Sequence, residues 1–123
     1  MSSSIKQLAP CPDKRNCVSS QSIDRGQQVA PLSYSGSAVV AMQRLRRVIE
    51  SMRRTRVVST AEDAIRVEFK SALLGFVDDV DFLLDAKASS IHVRSASRLG
   101  YYDFGVNRKR VEAIRAAFDE AAK

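Results

Sequence analysis

Histidine appears once in these 123 residues and cysteine twice. No apolar run approaches the ~20 residues needed to span a bilayer. Each scarcity removes a class of function. With only Cys11, Cys17 and the distant His92 as soft ligands, a zinc site lacks its donors, and no metal or cofactor is implied. Around a lone histidine, spacing alone assembles no acyl-transfer triad. The chain has no glycine-rich phosphate loop of the Walker or dinucleotide type, which argues against nucleotide-driven chemistry. The opening MSSSIKQLAP carries no apolar signal-peptide core, so a cytoplasmic location is expected.

What is present describes an ordinary globular domain with a basic surface. Hydrophobic residues make up 45% of the chain and charged residues 28%. The length suffices for a real core without staples. A formal charge of +6 and a pI near 9.7 bring nucleic acid or an anionic surface into consideration, beside the simpler reading of a solvated basic face.

Residues 1–36, rich in Ser, Gln, Pro and Gly, show no sustained period and are expected to form an extended, irregular segment against a domain spanning 37–123. Within it, CPDKRNCVSSQ leaves three readings of Cys11 and Cys17. They are a disulfide, a nucleophile favoured by Lys14 and Arg15, or two partly buried thiols; for a cytosolic chain the thiols are preferred. Ser37 is a good cap for a helix to about Arg53, with Val40, Met42, Leu45, Val48, Ile49 and Met52 at helical spacing. Strands are expected over 56–59, a short one, and over 64–70, 77–85 and 91–95, the second of the four alternating cleanly. If Asp85 faces Ser90, then Leu84 meets Ile91, Phe82 meets Val93, and Asp81 falls opposite Arg94 in a cross-strand ion pair. His92 becomes an exposed sheet residue. A last helix over 107–122 completes an α+β fold: a two-layer sandwich of a four-stranded antiparallel sheet with two helices on one face, in the order αββββα.

The stretch 91–111, IHVRSASRLGYYDFGVNRKRV, holds the residues that point to a site. Asn107 is expected to cap the last helix, with Val106 and Val111 as a hydrophobic staple. Arg108, Lys109 and Arg110 then crowd its positive end, where a protein carboxylate, a bound anion or solvent must offset them. Gly100 and Gly105 suit positive φ, and Tyr101, Tyr102 and Phe104 are expected to anchor the loop. Asp103 accepts backbone N–H groups there or neutralises Arg98, while Asp78 and Asp79 are placed to meet 108–110. Arg94, Ser95, Ser97, Arg98, Asp103, Asn107, Arg108 and Arg110 thus form a candidate ligand-binding set of the kind that holds carboxylate or phosphate.

CPDKRNCVSSQ, FVDDVDF and VRSASRLGYYDFGVNRKRVE together resemble the three signature blocks of domain-of-unknown-function family 1499, small proteins of bacteria and plant chloroplast lineages. The resemblance spans Cys11 to about Arg115 and implies homology without an activity. Some relatives carry an export or membrane segment, which leaves compartment, and hence the pairing of Cys11 with Cys17, open. It also implies that the blocks converge, with Cys11, Asn16, Cys17, Ser19, Ser20, Asp78 and Asp79 supporting the arginine-rich stretch in one polar cluster. The leading functional expectation is a non-catalytic domain binding a small anionic ligand or acidic partner. An enzyme using Cys17, Ser19 or Ser97 with Asp78, Asp79 or His92 is the alternative. Nucleic-acid binding comes third, since no reader motif is present.

Overall fold

The computed structural model describes residues 7–72 and 74–123; residues 1–6 of the expected irregular segment lie outside the described residues. In chain order the elements are β1 (Cys17–Ser19), β2 (Leu32–Ser33), α1 (Ala38–Glu50), β3 (Thr55–Thr60), β4 (Ala64–Lys70), β5 (Val77–Asp85), a 3-10 turn (Ala86–Ala88), β6 (Ser90–Ser97) and α2 (Val106–Ala121). The fold is α+β with an antiparallel sheet and two helices, but the sheet has six strands where four were expected, and the order is ββαββββα.

The two extra strands come from the segment ahead of α1. Both pair with β6, Cys17 opposite Ala96 at one end and Leu32 opposite Ile91 at the other. Strands this short carry no readable period, and their hydrogen-bonding partner is about 60 to 80 residues away, so nothing local announces them. Their effect is to cover the outer edge of β6, which would otherwise present unpaired backbone. Val18, Val29 and Leu32 join the same core as the helices.

The helix α1 forms largely as its apolar spacing dictates: Ala41, Met42, Leu45, Val48 and Ile49 are buried on one side, while Val40 of the expected stripe is exposed, and the Ser37 side chain accepts from Val40 N–H. It stops at Glu50, short of the expected Arg53. Ser51 Oγ donates to Val48 O, and Thr55 Oγ1 lies within hydrogen-bonding distance of Ile49 O and Met52 O, taking up carbonyls that a longer helix would have used. Arg54 then turns the chain with φ +57°.

The hairpin of β5 and β6 has the expected register, Phe82 opposite Val93, Leu84 opposite Ile91 and Asp81 opposite Arg94. Ile65, Val67 and Phe69 of β4, Val80 and Phe82 of β5, and Ile91 and Val93 of β6 face Leu45, Ile49, Ile114 and Phe118 of the helices in one cluster. Each large side chain fully buried there contributes about 1.5 to 3 kcal/mol. The Arg44 guanidinium lies over the Phe118 ring, 4.3 Å from its centroid, so this arginine is part of the packing between the helices.

Candidate functional site

The period of two along β6 divides the arginine-rich stretch between two faces. Ser95 and Ser97 lie on the helix side with Ile91 and Val93. Arg94 and Arg98 lie on the other side, and neither belongs to the cluster around the start of α2.

On the helix side the centre is Asn107, which is fully buried. It does not cap α2 as expected. The helix starts one residue earlier, after Gly105 at φ +81°, and Val106 is largely exposed, so the staple with Val111 does not form. The capping groups come from Asp103, whose Oδ1 accepts from Gly105 N–H at 2.8 Å and whose Oδ2 accepts from Asn107 N–H at 3.1 Å. A carboxylate at the positive helix end is what the basic first turn required. Burial pushes the Asp103 carboxyl up, but hydrogen bonds from the Asn107 side chain and from the N–H groups of Asn107 and Gly105 outweigh it and hold it below its ordinary value. Asp103 does not meet Arg98.

The Asn107 amide is saturated. Its Oδ1 accepts from Ser95 Oγ at 2.7 Å and Arg110 Nη1 at 2.8 Å. Its Nδ2 shares two hydrogens among Asp103 Oδ2 at 2.7 Å, Ser97 Oγ at 2.9 Å and Asn16 O at 3.1 Å. Arg110 Nη2 in turn holds Asp78 at 2.7 Å, and the guanidinium lies 5.0 Å from the centroid of the Phe69 ring. One side chain therefore ties β6, α2 and residue 16 together, with Asp78 of β5 attached through Arg110.

The disulfide between Cys11 and Cys17 forms, so the thiol reading is corrected and neither cysteine is a free nucleophile. The strap it closes is woven into the 98–105 loop. Arg15 N–H donates to Tyr101 O and Asp103 N–H to Arg15 O, while Asn16 Nδ2 donates to Gly100 O at 2.7 Å. Just after the strap, Ser19 Oγ accepts from Gln21 N–H.

On the opposite face, Arg98 bridges Asp79, through two hydrogen bonds of 2.8 and 2.9 Å, and Glu68 at 2.6 Å. Glu68 was not foreseen; the one available signal was its outward position in the alternation of β4. Asp81 is not the partner of Arg94 that cross-strand pairing suggested. Arg66, which stands opposite Asp81 on the other neighbouring strand, takes both carboxylate oxygens, and Arg94 reaches Pro10 O instead. Arg108 is spent on Gln28 O and Gly26 O. Every arginine of the expected anion-binding set thus has a protein partner.

The hydrogen bonds from Arg98 hold the Asp79 carboxyl below its ordinary 3.8, and those from Arg98 and then Arg56 lower Glu68. With folded-state values below unfolded ones, this stabilisation is present above the ordinary carboxylate range and lost as pH falls through the folded values. The side chains are partly exposed, so the effect is modest. Arg98→Ala is expected to lower Tm slightly at neutral pH, and the gap from wild type should vanish by about pH 2. Parallel thermal melts across that range check this; a gap that persists in acid would assign the loss to packing.

His92 is half-buried, not an exposed sheet residue. Its Nδ1 lies 3.0 Å from Ser20 Oγ and its Nε2 3.6 Å from Asp85. Ser20 Oγ also accepts from Val93 N–H, and Ser20 N–H donates to Val93 O, so this serine is a tie between the strap and β6.

Beside the Asn107 cluster opens a cleft of about 360 Å³. Its polar floor includes Asp78, Ser97, Asp103 and Arg110; its walls include Phe76, Val77, Leu99, Tyr102, Phe104 and Val106. The loop aromatics were expected as anchors, yet Tyr101, Tyr102 and Phe104 are exposed. Rings 102 and 104 lie 4.6 Å apart. Phe76 and Leu99 were missed as wall residues, although Phe76 follows a glycine in the same manner as the loop aromatics.

Fold and site together define a small α+β domain whose last strand-loop-helix unit is fastened to an amino-terminal strap through a buried asparagine and roofed by an open apolar cleft. Within that class the chain belongs to the family described as protein of unknown function (DUF1499), whose profile matches residues 7–118 and so takes in all three blocks. No curated protein matches the chain. No helix among the described residues is long and apolar enough to cross a membrane.

Proposed function

We propose that the domain is a non-catalytic binding module, and that its site is the cleft over the Asn107 cluster. The observation that carries this is the division of the cleft into apolar walls and a polar floor at a volume within the ~300 to 1,000 Å³ of small-ligand sites. The ligand differs from the anion the sequence suggests. Asp78 and Asp103 outnumber Arg110 in the lining, and Arg110 is already held by Asp78 and Asn107. That balance favours a small amphiphile with an apolar body and a neutral or cationic head. Against an enzyme stand the disulfide at Cys17, the donation of Asn107 to Ser97 Oγ, and the arginine partners of Asp78 and Asp79. The disulfide also favours an oxidising compartment over the cytoplasm.

The test is thermal unfolding across alkyl and aromatic amines, alcohols, carboxylates and phosphate esters, with Val106→Trp to fill the cleft. Neutral or cationic amphiphiles should raise Tm, by the equivalent of about 2.7 kcal/mol at a hundredfold excess over Kd, and Val106→Trp should abolish the rise. Stabilisation by anions alone, or by nothing in the panel, overturns the reading.

A further inference from the structure

The cleft sits in an end of the molecule that is apolar beyond what the cleft itself needs. Leu74 and Phe76 project from the turn before β5, and Leu99, Tyr101 and Phe104 from the loop before α2; Phe104 is 78% exposed and Leu74 and Leu99 are each 72% exposed. Phe76, Leu99 and Phe104 share the lining of the cleft, with Leu74 and Tyr101 beside them on the same two loops, and apolar exposure concentrated in this way is unusual for a domain that meets only water. Phe104 also holds φ +54°, a conformation that bulky residues rarely adopt.

Cations stand on the segments next to the tip. Arg15 is paired through its backbone with Tyr101 and Asp103, and Lys14 precedes it on the strap. The Lys70 side chain runs along Gly75, and Lys109 lies in the first turn of α2 directly after the loop. None of these four makes an ion pair among the described residues, in contrast to Arg66, Arg98 and Arg110. Of the nearby acids, Asp78 is paired with Arg110 and Asp103 is spent on the helix start; Asp13 subtracts one charge.

We propose that this end of the protein docks on the surface of an anionic lipid bilayer, with the Leu, Phe and Tyr side chains entering the headgroup boundary and Lys14, Arg15, Lys70 and Lys109 meeting the lipid charge. Apolar side chains with basic neighbours are the two signals that peripheral docking combines, and neither suffices alone. A bilayer fits better than a folded acidic partner. The apolar side chains stand on separate loops around an open cleft, and a fluid interface accommodates them without a matching shape. The inference goes beyond the binding reading and does not depend on what the cleft holds.

Co-sedimentation with phosphatidylcholine vesicles, with and without phosphatidylserine, tests it. The protein should pellet with the serine-lipid vesicles, weakly or not at all with the neutral ones, and come off as salt rises. Leu74→Ser combined with Tyr101→Ser replaces no residue that itself lines the cleft, and should weaken binding about tenfold or more. Lys14→Ala and Lys109→Ala should each weaken it about fivefold. Thermal melts confirm that the variants are folded. Failure to bind serine-lipid vesicles overturns the proposal. So does undiminished binding by the Leu74/Tyr101 variant, or equal binding to a soluble acidic polypeptide, either of which would mean a basic surface attracting any polyanion. A Tm rise with soluble amphiphiles alongside no vesicle binding would leave the cleft reading standing and remove this one.

Discussion

Asn107→Ala is expected to destabilise the protein by roughly 3 to 4 kcal/mol, far more than the loss of one ordinary hydrogen bond. The substitution removes a partner shared by groups on β6, α2 and the strap. Ser95 Oγ is left buried without its acceptor, Arg110 loses an oxygen, and Asp103 and Asn16 O lose a donor. Each buried polar group left unsatisfied costs about 1 to 3 kcal/mol, partly relieved where water enters. Ser97→Ala is the control: it deletes one contact to the same amide, for which about 1 kcal/mol is expected. Urea unfolding of both variants measures the difference. If the two losses are equal, the asparagine acts as a set of separate bonds and the account of it as a shared node fails.

The second large effect is expected at the floor of the cleft. Arg110→Ala strands Asp78, whose side chain is only 11% exposed, so the loss should be about 3 kcal/mol, at the lower end for a broken buried pair because the cleft admits water. Asp78→Ala in the same background should return part of it, since a missing charge is cheaper than an unpaired one. The remainder should persist, because Arg110 also donates to Asn107. The double-mutant cycle, read by denaturant midpoints, separates these terms. A cycle with no coupling would mean that Asp78 is solvated after all and that the floor is wet.

These effects rest on side chains that were picked out in the sequence but were there assigned another purpose. Ser95, Ser97, Asp103, Asn107 and Arg110 were grouped as ligand-binding residues; in the fold they donate and accept among themselves. Arg94, Arg98 and Arg108 were grouped with them by proximity along the chain. A strand separates neighbours by turning them to opposite faces, and Arg98 thereby meets Glu68, thirty positions away. The exposed aromatics carry the opposite lesson. Tyr102 and Phe104 were expected to anchor the loop, and instead they line a cleft, exposed, on a loop bounded by Gly100 and Gly105, both at positive φ.

The sequence by itself determined the middle of the fold. Strict alternation set the bounds of β4, the apolar pairs set the register of β5 on β6, and helical spacing set most of the buried side of α1, because these are periodic signals carried within single elements. It also determined that the basic start of α2 had to be offset, by a carboxylate, an anion or solvent. Tertiary structure alone decided which one, since Asp103 was one of several carboxylates in reach of the chain. It alone decided that Cys11 and Cys17 join, that β1 and β2 complete the sheet, and which carboxylate each arginine takes. The strand and arginine pairings depend on distances between segments far apart along the chain, which no local pattern of residues encodes; the disulfide and the Asp103 contact are local, but each competed with other local pairings that sequence alone does not rank.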